Sequence, residues 1–200
     1  MSGRLAAAVL WRRLDVPGLE HAQLRAGAGG PRLTGTVLVA ESGTPLQLDY
    51  DVACSAAWET LHVTMTVTHG QAVRRVELET DALHRWWMDG VEVPSVAGCT
   101  DVDLSLTPST NTLPIRRLGL LELGLGEQRD VRAAWVRFPE LAVEPLPQRY
   151  TRVGERRFRY ESWSGGRSAG SPDAFVAELE VDAIGLVMAY PPFWERVAVG

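Results

Sequence analysis

The sequence contains no lysine, and all twenty of its basic residues are arginine. A GC-rich genome is the favoured explanation, although arginine also presents a planar fork of donors that suits bidentate pairing with carboxylates. The net charge of −5 is spread evenly over both halves of the chain. Because neither half is basic, the charge gives no indication of a nucleic-acid-binding surface, and we expect no nucleic-acid partner.

Cysteine and long apolar runs are also scarce. Cys54 and Cys99 stand alone, without the paired spacing of a zinc site or a disulfide framework. The apolar run Leu5–Leu10 is shorter than the core of a signal peptide and far shorter than a membrane span. We therefore expect a cytoplasmic protein with no integral membrane segment.

Motifs for catalysis and metal binding are missing as well. The sequence has no GxSxG, no Walker loop and no GxGxxG, and its four histidines lack metal-ligand spacing. Asp101 and Asp103 mimic the start of an EF-hand loop. However, Leu106 replaces the required glycine and Thr112 the bidentate glutamate. We therefore expect no metal and no cofactor, assign no catalytic residue, and leave enzymatic activity open.

What the sequence has in abundance is strand periodicity. In the segment 58–68, Leu61, Val63, Met65 and Val67 alternate with histidine and threonine, which is typical of a strand with one buried face. The same pattern predicts strands throughout the chain, at 46–54, 58–68, 75–79, 157–161 and 175–182, with further strands at 4–14, 19–25, 32–40, 119–125, 130–138 and 185–190.

Only one helix is predicted, at Thr112–Leu118, with Asn111 as its N-cap and Pro114 in its first turn. A Ser/Gly-rich stretch, 162–172, is predicted to be a surface loop. Without βαβ alternation, repeats or a linker, residues 1–200 are expected to form a single domain. A long meander with one apolar face must curl to cover that face. The sequence thus predicts a mostly β fold, an antiparallel sheet curled into an incomplete barrel or β-roll around one short helix.

Two groups of residues are candidates for ligand binding. Carboxylates, an amide and guanidinium groups that could hydrogen-bond a polar head group are Asp101, Asp103, Asn111, Arg116, Arg117 and Glu161. Aromatic residues that could form an apolar wall are Trp58, Trp86, Trp87, Trp135 and Tyr160. The alternative for the first group is structural, with aspartates pairing with arginines, and for the second it is ordinary core packing.

The chain resembles a bacterial family labelled "putative glycolipid-binding", formerly a domain of unknown function. The resemblance covers about residues 9–197 and is most specific in the block from Asp101-Val-Asp-Leu-Ser105 to Thr110-Asn-Thr-Leu-Pro-Ile-Arg-Arg-Leu118. It extends to Trp87-Met-Asp-Gly90 and Gln148-Arg-Tyr-Thr151. It implies a sheet curled as an incomplete barrel, similar to lipid-carrying lipoproteins, and a lipid or glycolipid ligand.

Three hypotheses of function follow. The first is a binding protein that holds an amphiphile in the hollow of the curled sheet. The second is an enzyme acting on a hydrophobic small molecule, with Asp101, Asp103 or Glu161 as general acid or base. The third is a protein-interaction domain that uses a sheet edge or an aromatic patch. The sequence leaves open whether the protein is a homo-oligomer.

Overall fold

The computed structural model describes residues 3–164, 169–172 and 174–200 and contains fifteen strands and one α-helix in that part of the chain. The strands are β1 Arg4–Arg13, β2 Gly18–Ala26, β3 Arg32–Glu41, β4 Thr44–Cys54, β5 Thr60–His69, β6 Ala72–Thr80, β7 Trp86–Met88, β8 Val91–Glu92, β9 Asp101–Leu104, β10 Gln128–Arg137, β11 Ala142–Arg152, β12 Arg157–Ser162, β13 Phe175–Val181, β14 Val187–Tyr190 and β15 Trp194–Val199. The helices are α1 Thr112–Arg117 and three 3₁₀ helices, Pro94–Val96, Ser109–Asn111 and Leu120–Glu122.

All fifteen strands belong to one sheet. Its order is β8-β7-β6-β5-β4-β3-β2-β1-β15-β14-β13-β12-β11-β10-β9, so the chain forms two meanders that meet where β1 pairs with β15. Neighbouring strands are antiparallel except β9 and β10, which are parallel. The predicted fold class is confirmed: the protein is mostly β, with one short helix and a large antiparallel sheet that is not closed into a barrel.

The connection between the two edges explains the curl. A flat sheet of fifteen strands would hold its edges about 65 Å apart, since neighbouring strands lie about 4.8 Å apart. The edge strands β8 and β9 are joined only by residues 93–100, which span at most about 30 Å when fully extended. The sheet must therefore bend round. Near β9, Thr60 at the start of β5 donates its amide to the carbonyl of Thr100 at 3.1 Å.

The concave side of the sheet forms the core. The register keeps apolar residues on this side, as in the cross-strand pairs Val52–Val63 and Val63–Leu78. Helix α1 inserts Leu113 and Ile115, both essentially inaccessible to solvent, into the curl. Each such side chain contributes roughly 1.5–3 kcal/mol by its burial.

Buried tryptophans add directional contacts between distant segments. The indole nitrogen of Trp11 on β1 donates to the carbonyl of Val187 on β14 at 2.8 Å. That of Trp86 on β7 donates to the carbonyl of Cys99 at 2.9 Å, in the connection between the sheet edges. Because a buried N–H needs an acceptor, each bond also fixes the orientation of its ring.

The structure corrects two local predictions. Asn111 does not cap α1: it has helical dihedral angles within the preceding 3₁₀ helix and makes no capping hydrogen bond, whereas an N-cap needs an extended backbone. The strand predicted at 119–125 is instead the 3₁₀ helix Leu120–Glu122. Gly119 precedes it in the left-handed conformation with φ of 59°, which breaks an extended strand.

The structure also contains five strands that the sequence did not predict: β7, β8, β9, β11 and β15. Strand β11 was not predicted because Pro145 and Pro147 interrupt its pattern. Its pairing with β12 starts only at Gln148, so both prolines stand where β11 has a neighbouring strand on one side alone. Of the loop predicted at 162–172, residues 165–168 lie outside the described part of the chain.

Candidate functional site

A pocket of about 350 Å³ opens on the second meander. Its lining comes from β1, from β9 with the segment that follows it, and from β10–β15 with their connections. The volume lies at the lower end of the range for small-molecule sites. The pocket therefore has room for one end of an amphiphile rather than for a complete lipid.

Aromatic side chains make up seven of the fifteen described residues that line it. They are Trp135, Tyr160, Trp163, Phe175, Tyr190, Phe193 and Trp194. Tyr160 is at the centre, with its ring centroid 6.0 Å from that of Phe175 and 6.1 Å from that of Tyr190, both in edge-to-face geometry. Such contacts hold the rings in fixed positions, so this part of the wall is preformed.

Asp103 supplies a carboxylate to the pocket. It lies on β9 beside Trp135 of β10, and one of its oxygens accepts a hydrogen bond of 2.6 Å from the side-chain amide of Gln148 on β11. Burial raises the pKa of Asp103 to about 6, against the lowering effect of the Gln148 bond. At neutral pH it is therefore mostly ionised, and no arginine of the described residues lies within salt-bridge distance of it.

Arg13 is the cation that lines the pocket, and it is already paired. Its Nε and Nη2 bind the two carboxylate oxygens of Asp15 at 2.5 and 2.9 Å. The guanidinium carbon also lies 5.2 Å from the ring centroid of Phe193 and 5.1 Å from that of Trp194. Arg13 thus has its charge balanced by Asp15 and is held against two aromatic rings.

Behind the pocket lies a buried ring of four oxygen atoms. Glu20 Oε1 is 2.6 Å from both the Tyr50 hydroxyl and Thr107 Oγ1, and Ser109 Oγ is 2.7 and 2.8 Å from these two hydroxyls. Thr107 is also part of the pocket lining. All four side chains are buried, so the ring links the core to the site.

The ring indicates that Glu20 carries a proton. Four O–O hydrogen bonds need four protons, and the hydroxyls of Tyr50, Thr107 and Ser109 provide three. The carboxyl group supplies the fourth when it is protonated, whereas its other oxygen, Oε2, has no hydrogen-bond partner to stabilise a negative charge. In agreement with this count, burial raises the pKa of Glu20 to about 8, although Thr107 and Tyr50 lower it.

Four of the eleven predicted ligand-binding residues line the pocket: Asp103, Asn111, Trp135 and Tyr160. Asn111 accepts a hydrogen bond of 2.9 Å from the Tyr150 hydroxyl through its Oδ1. These residues come from β9, the following 3₁₀ helix, β10 and β12, and the curl of the sheet brings them together.

The other predicted head-group residues lie outside this pocket. Asp101 is buried and forms a bidentate ion pair with Arg117, at 3.0 and 2.6 Å. Arg116 lies over the ring of Trp58, 5.2 Å from its centroid. Glu161 is paired with Arg159 at 3.2 Å. The structural alternative, pairing with arginine, thus describes the environment of Asp101 and Glu161.

The remaining predicted wall residues are also elsewhere. Trp58 is stacked by Arg116, and Trp86 is a core residue with 1% of its surface exposed. Trp87 on β7 is half-buried, with Arg85 over its ring at 5.4 Å. These three tryptophans lie on or beside the first meander and do not line the pocket of the second.

Sequence reasoning missed eleven of the fifteen described residues that line the pocket, and six of these have charged or aromatic side chains: Arg13, Trp163, Phe175, Tyr190, Phe193 and Trp194. Three of them fall in one short segment, 190–194, whose aromatic residues flank two prolines. This concentration was a usable signal. Glu20 was missed too, although it is in phase with the buried residues Ala22 and Leu24 of β2 and so occupies a core position.

The described residues contain neither a helix that could span a membrane nor a cluster of metal-ligating side chains. Neither α1 nor any other helix there has the length and apolar character to cross a bilayer. Histidine, cysteine, aspartate and glutamate side chains do not gather in threes anywhere in residues 3–164, 169–172 and 174–200 in a way that could hold a metal ion.

Fold and site together define a class: a mostly β domain with a single curled, open sheet and an aromatic-walled pocket with a carboxylate. The chain belongs to the family described as "Putative glycolipid-binding", which it matches over residues 8–196. It is also similar to a DUF1089 family protein from Pseudomonas aeruginosa, known from a crystal structure. The sequence identity is 32%, the TM-score is 0.77, and the match covers 90% of this chain and 92% of the other. No curated protein matches the chain.

Proposed function

We propose that the protein binds an amphiphile, a lipid or glycolipid, with one end of the ligand in the pocket of the second meander. The observation that carries this proposal is the combination of an aromatic wall and a carboxylate in one preformed cavity of about 350 Å³. Apolar parts of a ligand gain roughly 25 cal/mol per Å² of buried surface, and the polar groups fix its orientation. The family description supports a binding role of this kind.

Within the proposed site, Trp135 and Tyr160 contact the apolar part of the ligand, and Asp103 and Asn111 contact its polar part. The pocket is too small for a whole lipid, so the remainder of the ligand extends outward from it. We propose the cytoplasm as the location of this binding.

Catalysis on a hydrophobic small molecule is the second candidate. One observation favours it: burial raises the pKa of Asp103 to about 6, within the range useful for a general base. The other two proposed acid–base groups, Asp101 and Glu161, are each paired with an arginine, which argues against that role for them.

The test uses native mass spectrometry after incubation with a total bacterial lipid extract, followed by solvent extraction of whatever binds. We expect a discrete added mass that extracts as an amphiphile. The variant Trp135→Ala, which removes part of the wall, should weaken binding by about tenfold or more, because a large aromatic contact contributes over 1 kcal/mol. Trp87→Ala is the matched control, since Trp87 is half-buried but lies outside the pocket.

Failure of every extract component to bind would refute the binding function. Recovery of the added mass as a chemically altered product, in wild type but not in Asp103→Asn, would favour the enzyme instead.

A further inference from the structure

The charges around the pocket carry information about the ligand beyond its amphiphilic character. Asp103 is ionised at neutral pH, and its hydrogen-bond partner among the described side chains is the neutral amide of Gln148. Asp103 is half-buried at the pocket wall, so water solvates its carboxylate only in part, and a carboxylate in such a position without a cation is costly. A ligand that brought a positive charge into the pocket would remove that cost.

No other charged group among the described lining residues neutralises Asp103. Arg13 from β1 is paired with both oxygens of Asp15. Tyr150 on β11 and Tyr190 on β14 stay neutral, because burial raises the pKa of each hydroxyl and the negative charge of Asp103 raises it further. Glu20, behind Thr107, holds its proton within the oxygen ring.

The aromatic wall suits a cation as well as an acyl chain. Aromatic ring faces carry partial negative charge and attract ammonium groups, more strongly when water is excluded. Guanidinium groups already lie near the rings of all three lining tryptophans: Arg13 at 5.1 Å from Trp194, Arg137 at 5.4 Å from Trp135 and Arg149 at 6.0 Å from Trp163. These arginines are neutralised by carboxylates, Arg137 by Glu144 and Arg149 by Asp130.

We propose that the pocket selects a ligand whose inserted end carries an amine or quaternary ammonium group, with Asp103 as its counter-ion and the aromatic wall around it. This inference rests on the proposed function and adds the chemical class of the head group. Among ligands with the same alkyl chain, it predicts that the cationic one binds most tightly, the neutral one less tightly and the anionic one most weakly.

The experiment compares octyltrimethylammonium, octyl glucoside and octyl sulfate, each below its micelle concentration, by isothermal titration calorimetry near neutral pH. We expect the ammonium compound to bind at least about tenfold more tightly than the glucoside, and the sulfate to bind most weakly. Asp103→Asn, which keeps the size of the side chain and an oxygen for Gln148, should abolish the preference. Asp51→Asn is the control, because Asp51 pairs with the exposed Arg32 away from the pocket.

Proton exchange provides a second measurement. Near pH 6, binding of the ammonium compound should release protons from Asp103, whereas binding of the glucoside should take protons up. Titrations in two buffers of different ionisation enthalpy show whether protons are released or taken up on binding.

The outcomes separate the two proposals. Equal or tighter binding of octyl glucoside, unchanged in Asp103→Asn, would overturn the cationic head group and leave amphiphile binding intact. If none of the three compounds binds, and the lipid extract also gives no added mass, both proposals fail.

Discussion

The oxygen ring around Glu20 makes the stability of the protein depend on pH in a direction opposite to that of a salt-bridged acid. The pKa of Glu20 rises from 4.5 to about 8 in the folded protein. The folded state therefore holds a proton that the unfolded chain releases. Stability from this group is fully present below pH 4.5 and is lost as the pH rises towards 8, by about 1.4 kcal/mol per pH unit.

The variant Glu20→Gln removes the titration but keeps a carbonyl oxygen for Tyr50 and Thr107. Its free energy of unfolding should lack the component of about −1.4 kcal/mol per pH unit, so that between pH 5 and pH 7 the wild type loses about 3 kcal/mol relative to the variant. The comparison cancels the other titrating groups, including Asp103. A constant offset from the new amide, whose NH₂ group would have no acceptor, does not affect the slope.

Urea unfolding followed by tryptophan fluorescence, repeated at several pH values, measures both curves. Glu178→Gln serves as the control, because the Glu178 side chain on β13 is 62% exposed and its removal should leave the slope unchanged. Parallel curves for wild type and Glu20→Gln would refute the argument and show that Glu20 is ionised despite the proton count.

Two further predictions concern buried groups outside the pocket. Arg117→Met breaks the ion pair with Asp101, whose side chain is 1% exposed, and should lower the free energy of unfolding in urea by about 3 kcal/mol. The double variant with Asp101→Asn should recover part of this loss. A single variant whose stability lies within about 0.5 kcal/mol of wild type would contradict the prediction. Cys54 and Cys99 are buried, which raises their pKa to about 12 and about 11, so a thiol reagent at about pH 8 should label them only after denaturation, and prompt labelling of the folded protein would be the contrary result.

The sheet was predictable where one face of each strand is buried and the other is solvated. β4 alternates strictly from Leu46 and β5 does so from Val63, and their residues therefore reveal the strands without any tertiary information. Before Val63 the pattern fails, since Leu61 is exposed and Thr60 is buried. β11 could not be recognised because it contains two prolines. They are tolerated because β11 pairs with β12 only from Gln148 onward, and the sequence does not show where that pairing starts. The helix was predictable from its local signals, but its N-cap was not, since Asn111 instead bonds Tyr150, which is 39 residues away.

The site was harder to predict from the sequence than the fold, because its residues come from eight strands and their connections. Asp103 and Asn111 were found through local polarity, and Trp135 and Tyr160 through residue type. The same two criteria also selected Asp101 and Trp86, which are core groups with partners far along the sequence. Distinguishing pocket from core requires knowing which segments face each other, and that depends on the curl.

The pairing of β1 with β15 has a consequence for the order of folding. The strands β1–β8 can form successive hairpins as they are synthesised, since each pairs with the strand just made. The outer edge of β1 has to wait, because its partner is the last strand in the sequence, with Trp11 opposite Arg196. Contacts of such high sequence separation form slowly, and an unpaired edge invites association with other chains. Until β15 pairs with β1 and joins the two meanders, the free edge of β1 is therefore where a nascent chain is most exposed to aggregation.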